Sequence, residues 1–184
     1  MNGKKSDNEL MKEFGGCSFA AYNVLYERYS NKILNFINRS FKMDFDQSEE
    51  ITQQVFIKLF EYKYKYKSRF QFSTWLYTVA RNKTIDILRK MKKENKLEIT
   101  EKIEAPENTS LGVEANEKSK LILKAIESLN DNQREVLIMR YKLGLSFQEI
   151  AEITSVKINT LKSHAKRGLE KLEIKLKEID YDFA

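Results

Sequence analysis

The stretch SFQEIAEITSVKINTLKSHAKRGLEKL, residues 146–172, decides the fold of the second half of the chain. Its apolar spacing predicts a short helix, a tight break and a longer helix. With residues placed about 100° apart on the longer helix, one sector collects small and apolar residues, namely Leu161, Ala165, Gly168, Leu169 and Leu172. The opposite sector collects Asn159, Ser163, Lys166 and Arg167. Such a helix suits a helix-turn-helix that enters the major groove of DNA; an ordinary helical hairpin is the alternative.

Composition favours one or two small helical domains. Of 184 residues, 41% are hydrophobic and 33% charged, and one proline and six glycines leave few breaks for strands and turns. The net charge of +6 suggests a polyanionic partner. With Cys17 and His164 alone of their kinds, disulfides within the chain and the usual zinc sites are excluded. We expect Cys17 to be buried or incidental rather than reactive.

The charge distribution predicts where the domains lie. Residues 92–117 carry four lysines against seven glutamates, between two basic halves. This acidic stretch contains Pro106 and has no apolar periodicity, which is typical of a linker. We therefore expect an all-α protein with a first domain at 1–92, a flexible acidic linker at 93–114 and a second domain at 115–184. No apolar run approaches the ~20 residues of a membrane span, and the expected location is the cytoplasm.

Local signals place the helices. Ser6 and Glu9 have the spacing of a capping box and predict a helix that runs through Phe14. Asn130 or Asp131 is a good N-cap, and Gly144 suits a helix stop. The further helices predicted from apolar periodicity span 18–41, 48–62, 74–92, 115–129 and 133–142.

An unusual segment, KYKYKSRFQFS at 63–73, alternates aromatic rings with cations. Cations can follow a phosphate backbone while rings stack on unpaired bases, as in single-strand binding proteins. The alternative is a loop or β-like stretch whose rings fill the domain core. The following helix favours the first interpretation, because its wheel groups a polar stripe headed by a tryptophan: Trp75, Thr78, Asn82, Asp86 and Arg89.

The helix predicted at 48–62 allows two interpretations. Glu49 and Glu50 near its start and lysine near its end suit the helix dipole, so stability alone explains them. Its polar residues Gln53, Gln54 and Lys58 equally suit a protein-docking face. The residues themselves leave both open.

Two separate stretches resemble one family. SEEITQQVFIKLFEY (48–62) with FSTWLYTVARNKTIDILRK (72–90) is similar to domain 2 of bacterial sigma factors, and residues 129–172 are similar to their domain 4. With only a short linker between them, the chain resembles the compact extracytoplasmic-function group. The resemblance implies a non-enzymatic transcription initiation factor that binds core RNA polymerase, directs it to promoters and assists strand opening. It implies no cofactor, and a regulatory anti-sigma factor or other recruiting protein as a further partner.

The resemblance also implies roles for individual residues. It assigns polymerase docking to Glu49, Gln53, Gln54 and Lys58. Capture and melting of the −10 element fall to Tyr66, Lys67, Arg69, Phe70, Phe72, Trp75, Arg81, Asn82, Asp86 and Arg89. Reading of the −35 element falls to Asn159, Thr160, Lys162, Ser163, His164, Lys166 and Arg167.

The sequence departs from the family pattern in the second domain. Ser155 stands at a turn position that is often glycine, and His164 stands where arginine is common. Gly168 and Leu169 stand where alanine and arginine are usual. The sequence allows two other hypotheses: a freestanding helix-turn-helix regulator that binds duplex DNA without polymerase, and a nucleic-acid enzyme. The second lacks a site, since the acidic group Asp44, Asp46, Glu49 and Glu50 is explained by helix capping.

Overall fold

The structure, a computed structural model, describes residues 5–66, 71–97, 125–126 and 128–181. The regular elements of these residues are all helices, which confirms the predicted all-α class. The chain divides into two compact units, Met1–Pro106 and Glu107–Ala184. Residues 98–124 lie outside the described part, so most of the predicted linker and of the helix predicted at 115–129 stays a prediction. Among the described residues no helix is both long and apolar enough to cross a membrane.

The described part of the first unit forms four helices: α1 (Asp7–Gly15), α2 (Phe19–Phe41), α3 (Phe45–Tyr62) and α4 (Phe72–Leu97). The predicted capping box is present at α1: the Ser6 hydroxyl accepts from the Glu9 backbone N–H, and the Glu9 carboxylate accepts from the Ser6 N–H. The Ser6 hydroxyl also donates to the Glu9 carboxylate at 2.7 Å, and this bond, followed by the one from the Ser6 N–H, lowers the pKa of Glu9. The core of the unit is apolar and aromatic, built from Leu25, Ile33, Phe36, Ile37, Val55, Leu59 and Leu76.

Two helices of the first unit begin earlier than predicted. α3 starts at Phe45 rather than Ser48, because the Asp44 carboxylate accepts from the Gln47 N–H and caps the helix three residues upstream. α4 starts at Phe72 rather than Thr74 and continues to Leu97, five residues into the predicted linker. The start of α3 thus reflects a local cap that apolar periodicity does not detect.

The second unit contains α5 (Asp131–Leu137), a π-helix (Ile138–Lys142), α6 (Phe147–Thr154) and α7 (Ile158–Tyr181). The Asn130 side chain caps α5 as predicted. The continuous helix predicted at 133–142 changes to the wider π form at Ile138, and the Leu143 N–H donates to the Ile138 carbonyl at 3.1 Å. Gly144, with φ of 72°, then reverses the chain.

The predicted helix-turn-helix is present in the second unit. Ser146 caps α6 in a capping box with Glu149. Ser155 forms the break in the left-handed region, with φ of 58° and ψ of 26°, and its N–H donates to the Ala151 carbonyl. Ile150, Ile153, Leu161 and Ala165 are buried between the helices. This packing is that of a helix-turn-helix rather than of an open hairpin.

Candidate functional site

The outward face of α7 carries exposed polar and cationic side chains. Asn159, Thr160, Lys162, Ser163, Lys166 and Arg167 are exposed, whereas Leu161 and Ala165 on the inner face are 4% and 3% exposed. His164 is half-buried at the edge of this face. The Lys166 ammonium lies 3.9 Å from Glu170, a pair that surface exposure makes weak. The face is therefore free to place hydrogen-bonding groups and cations against a duplex.

The inner face of α7 departs from the predicted sector at one position. Leu169 is 42% exposed, so it does not belong to the packed face, and Leu172 is half-buried. The packing position next to Leu169 is taken by Gly168, where a Cβ atom would lie 2.8 Å from Leu137 Cδ1. The glycine thus permits a close approach of α7 to α5, which a propensity argument does not anticipate.

An aromatic corner (Tyr62, Tyr66, Phe72 and Trp75) forms where α3 ends and α4 begins. The Trp75 ring stacks on the Tyr62 ring, with centroids 5.3 Å apart and planes 20° apart. The Tyr66 ring meets both Trp75 and Phe72 edge-on at 6.2 Å. Trp75 and Tyr66 are half-buried, whereas Phe72 is 2% exposed. Phe72 therefore fills the core, and stacking on a base is not assigned to it.

The start of the segment at 63–73 follows the alternative interpretation, in which its side chains pack within the domain. The Lys63 side chain is buried, with its ammonium 4.1 Å from the centre of the Phe60 ring and 4.9 Å from that of Tyr64. This lysine makes cation–π contacts within the unit instead of following a phosphate backbone. Lys67, Arg69 and Phe70 lie outside the described residues, and their roles stay predictions.

The polar stripe on α4 is solvent-facing beyond its first turn. Asn82, Asp86 and Arg89 are exposed and Arg81 is half-buried, while Leu76 and Ala80 on the opposite side are fully buried. Asp86 and Arg89 form an exposed ion pair at 3.8 Å. The stripe continues the surface of the aromatic corner along the helix, since Trp75 and Thr78 begin it.

The exposed face of α3 holds the four predicted docking residues together. Glu49, Gln53 and Lys58 are exposed and Gln54 is half-buried; Lys58 pairs with Glu61 at 3.2 Å. Sequence reasoning missed the apolar residues beside them, since Ile57 is 59% and Phe60 is 40% exposed. Apolar periodicity places both on the helix but does not distinguish an exposed apolar position from a buried one. Exposed apolar side chains rimmed by polar ones are typical of protein-binding surfaces.

A further aromatic group adjoins Phe60 on α2. Phe19 is 63% exposed and its ring centre lies 6.1 Å from that of Phe60, and Tyr26 is 41% exposed.

Cys17, expected to be buried or incidental, is exposed, and its sulfur lies 3.3 Å from the Tyr64 hydroxyl. Within the described ranges no three His, Cys, Asp or Glu residues cluster closely enough to hold a metal ion.

Comparisons with known proteins agree with this arrangement. The family described as Sigma-70 region 2 matches residues 25–94, and that described as Sigma-70, region 4 matches residues 119–172. The chain is 30% identical to the ECF RNA polymerase sigma factor SigW of Bacillus subtilis, over 86% of this chain and 90% of that protein. It is 25% identical to the ECF RNA polymerase sigma-E factor of Escherichia coli, over 97% and 98%.

Two solved structures share the fold. The sigma factor RpoE of Bartonella quintana, solved in complex with the anti-sigma factor NepR, is 22% identical with a TM-score of 0.72, over 85% of this chain and 96% of that one. CnrH, solved in complex with the cytosolic domain of CnrY, is 18% identical with a TM-score of 0.70, over 95% and 99%.

Proposed function

Because this chain belongs to the family of extracytoplasmic-function (ECF) RNA polymerase sigma factors, we propose an assignment of its surfaces to the steps of transcription initiation. The protein is an initiation factor that binds core RNA polymerase and directs it to promoter DNA. The alternative of a freestanding regulator, which works without polymerase, is not favoured by this membership. The steps that remain to be assigned are polymerase docking, capture of melted DNA and reading of duplex DNA.

The exposed face of α3 docks on core polymerase. The proposal rests on Ile57 and Phe60, whose exposed apolar surface lies among the predicted contacts Glu49, Gln53, Gln54 and Lys58. Burial of apolar anchors inside a polar rim supplies much of the binding energy of protein interfaces. Docking explains why Ile57 is exposed on this face, whereas the stabilising charge pattern of the helix does not.

A matched pair of isoleucines tests the docking surface. Ile57 and Ile174 are 59% and 58% exposed, each on a helix but in different units. We expect Ile57→Lys to weaken binding of core polymerase about 10-fold or more, as loss of a central interface anchor does. Ile174→Lys is the control and leaves the affinity unchanged. Equal affinities of the two variants, measured by fluorescence titration with core polymerase, would contradict the assignment.

The outward face of α7 reads duplex DNA at the −35 element. The observation that carries this proposal is the contrast between the two faces of the helix. Its exposed amide, hydroxyl and cationic groups stand opposite a face that is almost fully buried. Side chains of this kind contact base edges and phosphates from a recognition helix. The half-buried His164 lies at the border of the face and contributes less reach than an arginine would.

Salt dependence tests the duplex contacts. We expect Lys166→Gln and Arg167→Gln each to reduce the slope of log affinity against log salt by about 0.9, if each cation contacts one phosphate. The assay is binding of the holoenzyme to a promoter duplex found by mapping transcript starts with and without this protein. Lys177→Gln, an exposed lysine further along α7 that pairs with Glu173, serves as the control. An unchanged slope for Lys166 and Arg167 refutes the assignment.

The aromatic corner and the α4 stripe hold the melted −10 region. Trp75 and Tyr66 offer partly exposed rings, and Arg81, Asn82, Asp86 and Arg89 supply polar groups along the same helix. Opening about a dozen base-pair steps costs on the order of 17 kcal/mol, whereas each captured base returns about 1–3 kcal/mol. Two or three captured bases fall well short of that cost. The chain therefore assists opening as a polymerase subunit and does not melt a promoter alone.

The remaining assignments follow from this role. The chain contributes binding rather than catalysis, and it acts in the cytoplasm, where bacterial polymerase meets the chromosome. An anti-sigma factor or another recruiting protein controls its access to polymerase; the protein of similar fold solved in complex with an anti-sigma factor supports this. Copurification of core polymerase and of any further partner with the tagged protein tests these assignments together.

A further inference from the structure

The first turn of α1 contacts the aromatic corner, to which the proposed function assigns the holding of melted DNA. Tyr66 lies at one edge of the corner, and Phe72, the first residue of α4, lies at the other. Asn8 lies against Tyr66, and Asp7 reaches Phe72 through one intervening side chain. Two neighbouring residues of α1 thus connect to both edges of a corner that lies almost 60 positions further along the chain.

The link to the first edge is direct. The Tyr66 hydroxyl donates to the Asn8 side-chain oxygen at 2.7 Å. Burial, followed by the nearby Asp7 carboxylate, raises the pKa of Tyr66, so the hydroxyl keeps its proton at neutral pH and remains a donor. The ring of the same tyrosine contacts Trp75. Asn8 therefore restrains the orientation of a ring that belongs to the aromatic corner.

The link to the second edge passes through Tyr29. The Asp7 carboxylate accepts from the Tyr29 hydroxyl at 2.5 Å and pairs with the Arg28 guanidinium at 2.8 Å. The Tyr29 ring meets the Phe72 ring edge-on, with centres 5.3 Å apart. The side chain that begins α4 is thereby fixed to the same turn of α1 as Tyr66.

Asn8 is not required for the packing of α1. The helix buries Leu10, Met11 and Phe14, each 3% exposed or less, against its neighbours. Asn8 itself is exposed. Its hydrogen bond is thus placed where it controls Tyr66 while contributing little to the attachment of the helix.

We propose that the first turn of α1 positions the aromatic corner, with Asn8 as a positioning residue whose hydrogen bond to Tyr66 sets selectivity for the −10 sequence. This inference rests on the proposed function of Tyr66 and Trp75 in holding melted DNA. It adds α1, which no step of the proposed function uses, to the elements that determine promoter choice. Asn8 acts through Tyr66 and does not itself touch the DNA.

The test measures selectivity, which a merely structural residue would not change. Core polymerase reconstituted with the full chain transcribes a library of promoters randomised at the −10 region, and the transcripts are sequenced. We expect Asn8→Ala and Tyr66→Phe each to lower the preference for the best −10 sequence about 3- to 10-fold, the range given by loss of one hydrogen bond. The double variant should lose no more than either alone.

Three controls define the outcome. Asn8→Asp keeps an acceptor and should restore selectivity, and Lys12→Ala, at another exposed position of α1, should not change it. Affinity for core polymerase should stay constant in all variants, and circular dichroism at the assay temperature should show each of them folded. If Tyr66→Ala lowers selectivity while Asn8→Ala does not, or if Asn8→Asp fails to restore it, the positioning role is refuted. If Tyr66→Ala itself leaves selectivity unchanged, the proposed role of Tyr66 fails first.

Discussion

The contact between Gly168 and Leu137 gives the sharpest stability prediction. A Cβ atom on residue 168 would lie 2.8 Å from Leu137 Cδ1 and 3.4 Å from Gln133 Cβ. Replacing a helical glycine by alanine stabilises a helix by about 1 kcal/mol. Overpacking of a filled site costs about 1–3 kcal/mol. We therefore expect Gly168→Ala to lower the free energy of unfolding of the second unit by about 1 kcal/mol.

Removing the opposing methyl group should reverse the sign. Leu137→Val eliminates the Cδ1 atom that the new Cβ would strike, so in that background Gly168→Ala should raise stability by the full propensity gain of about 1 kcal/mol. The coupling between the two positions is then about 2 kcal/mol, a magnitude expected for residues in direct contact. Ser163→Ala, on the exposed face of the same helix, should show no coupling to Leu137→Val.

Urea unfolding separates the two units in this experiment. The chain has one tryptophan, Trp75, which lies in the first unit, so its fluorescence reports that unit while far-ultraviolet circular dichroism reports both. The effect of Gly168→Ala should be found in the dichroism transition and be absent from the fluorescence transition. A gain of about 1 kcal/mol from Gly168→Ala with Leu137 intact would refute the argument, because α7 would then not need a glycine there.

Two further predictions concern backbone strain and pH. Ser155 adopts φ of 58°, a left-handed conformation that costs a non-glycine residue about 1–2 kcal/mol, so Ser155→Gly should raise the free energy of unfolding of the second unit by about 1 kcal/mol in the same urea assay; no gain would show that the turn is unstrained. Burial raises the pKa of Tyr77 from 10.0 to about 12, and an unfolded tyrosine ionises first. The contribution of Tyr77 to the free energy of unfolding is therefore fully present below pH 10. It falls by about 1.4 kcal/mol per pH unit as the pH rises towards 12. Tyr77→Phe should remove on the order of 2 kcal/mol of that loss, and identical pH profiles for the two proteins would contradict it.

Helix starts that depend on neighbouring side chains were predictable from the sequence. Ser6 with Glu9 and Asn130 with Gln133 form capping boxes, whose partners lie three residues apart and can be recognised in the sequence. The start of α3 differs from the prediction although Asp44 is an equally good cap, because the apolar repeat that predicts this helix begins only at Ile51.

Contacts between residues distant in the chain could not be predicted from the sequence. The stacking of Trp75 on Tyr62 and the hydrogen bond from Tyr66 to Asn8 depend on how four helices pack, and no local pattern encodes them. The exposure of Ile57 could not be predicted for a related reason: helical spacing does not distinguish an isoleucine that packs inside the domain from one that binds another protein. The positions of the exposed polar faces on α3, α4 and α7 were therefore predictable, while the apolar and aromatic side chains beside them were not.

The π-helix at Ile138–Lys142 has a consequence for how this unit tolerates changes in length. A π turn holds about one residue more than the α turn it replaces, so this stretch contains a residue that the hydrogen-bonding pattern of an α-helix would not need. Deleting one residue there would let α5 continue in regular form, although it would turn Arg140, which donates to the Leu145 carbonyl, away from that partner. The same deletion within Asp131–Leu137 would rotate Val136 and Leu137 out of the core. Related chains that differ by one residue should therefore carry the gap in this turn.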